Sequence, residues 1–268
     1  MTTVLPPQDL IDRIIASEVA HTSDRVAAIG RWPGNPYGAE ELSNGGVHAF
    51  AVRGVPSPWL NRALGFGEAY ADKVESVAVW FRERGVPGWF DVMPDRHGPL
   101  LARALGDARF IQSRFSAVSW GVPRAATSRS PIDVIDSESA MEAFLDCHME
   151  AWEMPAKDRD GAKRNMRGWL GLPGWTMLLA RHEGEPAGTA VLHFRDGVAY
   201  IAATATRPKL RGQGAQTALL ERCFDLAAAT GAELIWSRAA YLSQSHRNML
   251  RAGLRTLCTQ AYWTRSDP

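Results

Sequence analysis

The chain has 268 residues, 46% of them hydrophobic and 22% charged, which is the make-up of a globular protein with room for one large domain or two ordinary ones. Its 30 Lys and Arg against 29 Asp and Glu leave a net charge of +1, so no global field draws nucleic acid or anionic lipid, and any polyanion must be met locally. No apolar run approaches the ~20 residues that span a bilayer, and the N-terminus lacks the basic-then-apolar layout of a leader, so a cytoplasmic protein without a membrane partner is expected.

Residues 1–30 are expected as a helix, with Asp9 in the capping position and Leu10, Ile11, Ile14, Ile15, Val19 and Val26 as an apolar stripe. Residues 31–46, dense in Gly, Pro and Asn, are expected as a loop, and 47–52 as a strand. Turn residues flank Trp59 and Leu60 across 53–67. A helix over 68–84 follows, with Val74, Val77, Ala78 and Phe81 on one face and Gly85 at its end. A strand at 89–93, a short helix at 97–105 and a strand at 110–120 complete this half. Residues 123–131, polar and bracketed by prolines, are expected as a linker.

Beyond it, a helix starts at 136–138 and runs through Met141, Phe144, Leu145, His148 and Met149 to Trp152. Pro155 interrupts it, and a charged second helix spans 157–170. Strands at 175–180 and 187–194 embrace the turn at 183–186, and a third strand covers 198–206. Then come Arg207-Pro208-Lys209-Leu210-Arg211-Gly212-Gln213-Gly214-Ala215-Gln216, a helix over 217–230 with Ala218, Leu219, Cys223, Leu226 and Ala227 on one face, a strand at 233–237, a helix closing on Gly253, and a strand at 256–264. The three cysteines, Cys147, Cys223 and Cys258, have no metal-ligand spacing and an odd count, so neither a metal site nor a disulfide framework is expected.

The turn at 207–216 carries the chemistry. Gly212 and Gly214 let the backbone take positive φ and let a bulky anion approach it, while the following helix aims unpaired N–H groups and its dipole at the same spot. Lys209 and Arg211 add fixed positive charge, and Pro208 ends the strand. A Walker loop would need Gly-Lys-Ser/Thr, and a dinucleotide fingerprint a third glycine and a downstream acid; neither is present. Between a strand and a helix, Arg211-x-x-Gly214 resembles the acyl-CoA pyrophosphate loop of the GNAT (Gcn5-related) N-acetyltransferase superfamily, whose pattern is Gln/Arg-x-x-Gly-x-Gly/Ala. Gln216 stands where that pattern has Gly or Ala. The order strand, strand, strand, turn and helix, strand, helix, strand is also the family's.

The resemblance implies an α/β (α+β) fold, with a mixed, mostly antiparallel sheet flanked by helices. The element order of residues 1–124 is found again in 132–268, so two tandem copies are expected. The first would be a degenerate GNAT-like domain, since 53–67 holds no Arg-Gly-x-Gly; the second would be the acyltransferase domain. A single larger domain with an N-terminal extension is the rival.

By resemblance, the function is transfer of an acetyl or similar acyl group from acetyl-CoA, or another acyl-CoA as co-substrate, to the amine of a small-molecule acceptor by direct attack. Two other readings keep the fold: a transferase using aminoacyl-tRNA, against which the weak net charge and missing basic stripe argue, and a CoA-binding sensor without catalysis. A nucleic-acid partner is therefore not expected, and a homodimer is open. Donor contacts are implied for Thr204 and Thr206 through their backbone, for the turn Arg211, Gly212, Gln213, Gly214, Ala215 and Gln216, and for Ser245 and Asn248. The tyrosine that many members use to protonate the leaving thiolate falls on Met249, which cannot donate a proton; Tyr241 is the alternative acid. His148, Glu153 and His193 are candidates for the base, although a lone histidine is more often structural, and Glu150 is expected as a solvated face. Trp32, Trp59, Trp89, Trp152, Trp169 and Trp175 lie in or beside loops and could line an apolar acceptor pocket, packing being their commoner use.

Overall fold

A computed structural model of the protein describes residues 9–126 and 130–265. The first eight residues of the expected N-terminal helix, the centre of the expected linker at 127–129 and the last three residues of the expected second domain lie outside the described residues. The chain divides into two compact units: Met1–Val118 with Leu257–Pro268, and Ser119–Thr256. The final strand is thus apportioned differently from an expected 132–268 domain, because most of it pairs in the first unit.

In the first unit, α1 (Leu10–Gly30) begins just after Asp9, whose side chain makes no capping bond. Strands β1 (Ala39–Asn44), β2 (Val47–Val52) and β3 (Arg62–Leu64) precede a 3-10 turn at Glu68–Lys73 that leads into α2 (Val74–Glu83). Then come β4 (Trp89–Val92), α3 (Pro99–Asp107) and β5 (Phe110–Gly121). β1 and β3 lie in segments expected as loops. β1 is polar and buries no residue fully, held by its register on β2 from Ala39↔Val52 to Asn44↔Val47, so it carries no apolar alternation of its own. Val74, Val77, Ala78 and Phe81 are buried as the helical spacing requires, packed with Phe66, Phe90 and Phe110.

α1 does not bury the plain apolar stripe expected of it. Leu10, Ile14 and Val26 are buried, but so are Glu18 and Thr22, because Arg62 lies opposite them at 1% exposure. Its guanidinium bonds Glu18 and Asp91, each at 2.8 Å, and donates to Thr22 at 2.9 Å. Gln260, near the end of the chain, adds a further bond to Glu18.

The second unit contains β6 (Ile132–Val134), α4 (Glu138–Ala151), α5 (Ala156–Arg167), β7 (Trp175–His182), β8 (Glu185–Arg195), β9 (Val198–Thr206), α6 (Ala215–Ala229), β10 (Leu234–Ala240) and α7 (Gln244–Arg251). β11 (Arg255–Arg265) leaves it, and Ala261–Thr264 pairs antiparallel with Trp89–Val92 of the first unit's β4. Strand order is β1-β2-β3-β4-β11-β5 in the first unit and β10-β9-β8-β7-β6 in the second. Pairs β1–β2, β2–β3, β4–β11, β6–β7, β7–β8 and β8–β9 are antiparallel, and β3–β4 and β9–β10 are parallel.

The expected face of α6 packs as predicted: Ala218, Leu219, Cys223 and Ala227 are buried together with Phe224 against Leu178, Ala190 and Ile201 of the sheet, while Leu226 is partly covered. Burying one Leu or Phe fully is worth about 1.5–3 kcal/mol, so this one face holds the helix, and with it the turn at its start. Among the described residues, no helix is long and apolar enough to cross a membrane.

Each unit repeats one arrangement. A strand (β3, β9) runs parallel to a later strand (β4, β10), and a turn and helix connect them. The two connecting turns differ in chemistry.

Candidate active site

In the second unit the connecting turn leaves its backbone uncovered at two glycines. Pro208–Leu210 makes a single 3-10 turn after β9. Gly212 and Gly214 follow with φ +84° and +85°, and Gly214 is the residue from which α6 starts. A Cβ built on either glycine meets nothing within 4 Å, so the space over the backbone is open. The first N–H groups of α6, with no partner inside the helix, face that space.

Arg211 is exposed, and its guanidinium bonds Glu153 at 2.9 Å. Glu153 holds φ +50° at the end of α4, directly after Trp152. One turn earlier on the same helix, Glu150 bonds Arg207 at 2.6 Å. That hydrogen bond holds the Glu150 carboxyl below its ordinary range and raises Arg207 correspondingly. Glu150 is therefore tied to the strand end rather than to solvent alone, and the end of α4 is fixed to the turn by two ion pairs.

β9 is distorted where it approaches the turn. Its ladder with β8 shifts register between Thr189↔Ala205 and Val191↔Ala202, and Ala203 lies inside the resulting bulge at φ +52°. On the other side, β9 pairs with β10 from Val198↔Leu234 to Ile201↔Ser237, and the Ser237 hydroxyl donates to the Ile201 carbonyl at 2.8 Å. Beyond this point the two strands fork. Arg207 donates its N–H to Ala187 of β8, so alternation along an antiparallel strand turns the backbone groups of Thr206 toward the fork, while Thr204 lies in the bulge itself. Among the described residues the Thr204 Oγ1 is buried and has no hydrogen-bond partner.

Gln216, the departure from the glycine pattern, bridges two helices. Its amide nitrogen donates to Ser245 Oγ at 2.9 Å, and its carbonyl accepts from the Asn248 amide. Ser245 and Asn248 are thereby brought to the first turn of α6, and bulk at 216 serves to couple α6 to α7. The N-cap of α7 is Ser243, which accepts from the His246 N–H at 3.2 Å, so Ser245 is free of that duty.

The candidate catalytic side chains are placed as follows. Tyr241 is 54% exposed in the loop after β10, its ring 5.7 Å from that of His246. Sequence reasoning gave His246 no role, yet it holds this loop: Nδ1 accepts from the Leu242 N–H at 3.2 Å, and Nε2 lies 2.9 Å from Thr256 Oγ1. Burial lowers its pKa, which keeps the ring neutral and able to accept at Nδ1. The Ser-x-x-His spacing at 243–246 is the only sequence signal for it. Met249 is buried in the core with Ala252 and Leu254. His148 is 6% exposed, with Nδ1 2.8 Å from Thr189 Oγ1 and its ring stacked on Phe144, which gives it a packing role between α4 and β8. His193 is fully buried, its ring 5.3 Å from that of Trp175. Glu153 is committed to Arg211.

Burial pushes the Cys147 thiol up to about 11 and the Cys223 thiol up to about 12, so neither offers a thiolate nucleophile at neutral pH.

The first unit's counterpart turn is anionic. Gly65 has φ +82°, but the helical segment after it opens with Glu68, whose carboxylate accepts from the Leu100 and Leu101 N–H groups at 3.0 Å each. A cleft of about 490 Å³ there is lined by Glu68, Tyr70, Asp95, Arg96 and His97. A carboxylate thus caps α3 at this turn.

Residues 137–253 match the model of the Acetyltransferase (GNAT) family. No curated protein matches the chain by sequence. Among solved structures, a GCN5-related N-acetyltransferase from Kribbella flavida is similar over 94% of this chain and 96% of its own, at 16% identity and TM-score 0.67. Another from Sphaerobacter thermophilus is similar over 95% of this chain and 91% of its own, at 15% identity and TM-score 0.60. A tandem GNAT protein from the clavulanic acid biosynthesis pathway is similar over 98% of both chains, at 14% identity and TM-score 0.58. At these identities the likeness is one of fold.

Proposed function

We propose that the second unit transfers an acetyl or similar acyl group from acyl-CoA to the amine of a small-molecule acceptor, since residues 137–253 match the Acetyltransferase (GNAT) family and the chain is similar in fold to a tandem GNAT protein. The observation that carries this reading is the fork between β9 and β10 on the strand that leads into the Gly212–Gly214 turn. Donor pyrophosphate would lie on the backbone N–H groups of Gly212 to Gln216 with Arg211 beside it, and the backbone of Thr204 and Thr206 would take the pantetheine amide and thioester carbonyl. Ser245 and Asn248, linked through Gln216, border the same turn.

Direct attack is the proposed route. The amine nitrogen attacks the thioester carbon, the C–S bond breaks, the nitrogen gives a proton to water, and the thiolate is protonated as CoA leaves. Tyr241 is the phenol assigned to that last transfer, with His246 holding its loop. Glu153 acts instead as a tether of Arg211, and His148 as packing. A cytoplasmic setting goes with this donor. Initial rates with acetyl-CoA and a panel of small amines, read as released CoA thiol, test the reading. Amine-dependent release is expected; tight CoA binding with no release across the panel would favour a sensor.

A further inference from the structure

Building on that acyl-transfer reading, we infer that the acceptor is a monoamine with an aromatic or apolar body, and that Trp152 selects it. A polycationic acceptor requires free carboxylates around its approach. Along α4 they are taken: Glu142 pairs with Arg167, Asp146 with Lys163, Glu150 with Arg207 and Glu153 with Arg211. Glu138 opens α4, about 20 Å of helix away from its Trp152 end. Asp158 and Asp160 alternate with Lys157 and Arg159 on the exposed start of α5. Residues 138–167 contain seven acids and five bases, an excess of only two acids over both helices. A polyamine gains little from such a surface.

What this end of α4 does offer is an aromatic face. Phe144, His148 and Trp152 recur at four-residue spacing, with ring centroids 5.7 and 6.0 Å apart, and the series ends on Trp152 at 51% exposure. The adjoining residue, Glu153, touches the donor turn. In the loop after β10, Tyr241 and Leu242 are 54% and 55% exposed. Most tryptophans here are packed; Trp236, for example, is fully buried against Tyr200. An indole left half in water beside an anion turn is the kind of apolar surface that a ligand covers.

The experiment measures kcat and KM for tryptamine and for spermine with acetyl-CoA, in wild type, Trp152→Ala and Trp152→Phe, alongside calorimetric binding of acetyl-CoA to each. Wild type should favour tryptamine at least about tenfold in kcat/KM. Trp152→Ala should raise the tryptamine KM about tenfold, the size of one lost aromatic contact, with kcat and acetyl-CoA affinity little changed, and Trp152→Phe should restore most of it. Preference for spermine, an unmoved KM in Trp152→Ala, or no turnover of either amine by acetyl-CoA-loaded protein overturns the inference. Failure of the wild type to bind acetyl-CoA overturns the acyl-transfer reading itself, and this inference with it.

Discussion

Replacing Gly214 by alanine separates backbone strain from ligand approach, because the chain supplies its own control. Gly214 at the start of α6 has φ +85°, and Gly231 just past its end has φ +74°. A Cβ at either position meets nothing within 4 Å. Both alanine variants therefore suffer the same kind of penalty, about 1–2 kcal/mol for a left-handed non-glycine residue, seen as a fall of a few degrees in Tm. Only at Gly214 does the new methyl enter the space facing the first N–H groups of α6. Losing one charge-assisted hydrogen bond to phosphate costs about 1.5–3 kcal/mol, or roughly ten- to a hundredfold in affinity. Calorimetry with CoA should thus show Gly214→Ala weakened by at least about tenfold and Gly231→Ala unchanged, with similar Tm values. Equal CoA affinity in the two variants would refute the assignment of the turn.

Glu153→Gln frees Arg211 from an exposed ion pair worth about 0.2–1 kcal/mol, so CoA affinity in calorimetry should rise by up to about fivefold; a fall would mean that Glu153 supports the donor site instead. Tyr241→Phe should lower kcat at least about tenfold with the acetyl-CoA KM unchanged, the pattern of a group acting only in the transition state; an unaltered kcat removes Tyr241 as the acid. Asp91→Ala leaves Arg62 buried with half its charge partners, so urea unfolding should show a loss of about 3–5 kcal/mol, against less than about 1 for Glu40→Ala, whose pair with Arg84 is partly exposed. The Cys147 and Cys223 thiols, raised to about 11 and about 12 from 9.0, favour the folded state only while protonated. Their contribution is complete below pH 9 and declines as pH climbs toward 12. Thiolate absorbance should rise near pH 9 in denaturant but only above about 11 in the native chain.

The second unit was the more legible half. Its main strands are continuous apolar runs, its α6 face is regular, and Pro208, Gly212 and Gly214 punctuate the turn between β9 and α6. Even the bounds of β9, 198–206, could be read, since Pro208 and Gly197 confine it. In the first unit β1 and β3 escaped notice. β1 is a polar edge strand, and β3 is three residues long with Arg62 at its start, so their pairing depends on β2 and on Glu18 and Asp91, far away in sequence. The exchange of β11 into the first unit leaves no trace in periodicity, because a strand reads the same whichever partner it has. At the site, spacing singled out the turn now proposed to hold the donor but not the partners of its side chains. That Glu153 meets Arg211, that Gln216 ties Ser245 to Asn248, and that His246 braces the Tyr241 loop are contacts between elements, visible only once the sheet has set their distances.

A crystal structure of the protein soaked with acetyl-CoA tests the central claim most directly. Pyrophosphate density against the backbone of Gly212 to Gln216, with the thioester between β9 and β10 and no donor at the Gly65–Glu68 turn, is the predicted result. Donor bound at the turn of the first unit, or away from the fork in the second, would contradict it.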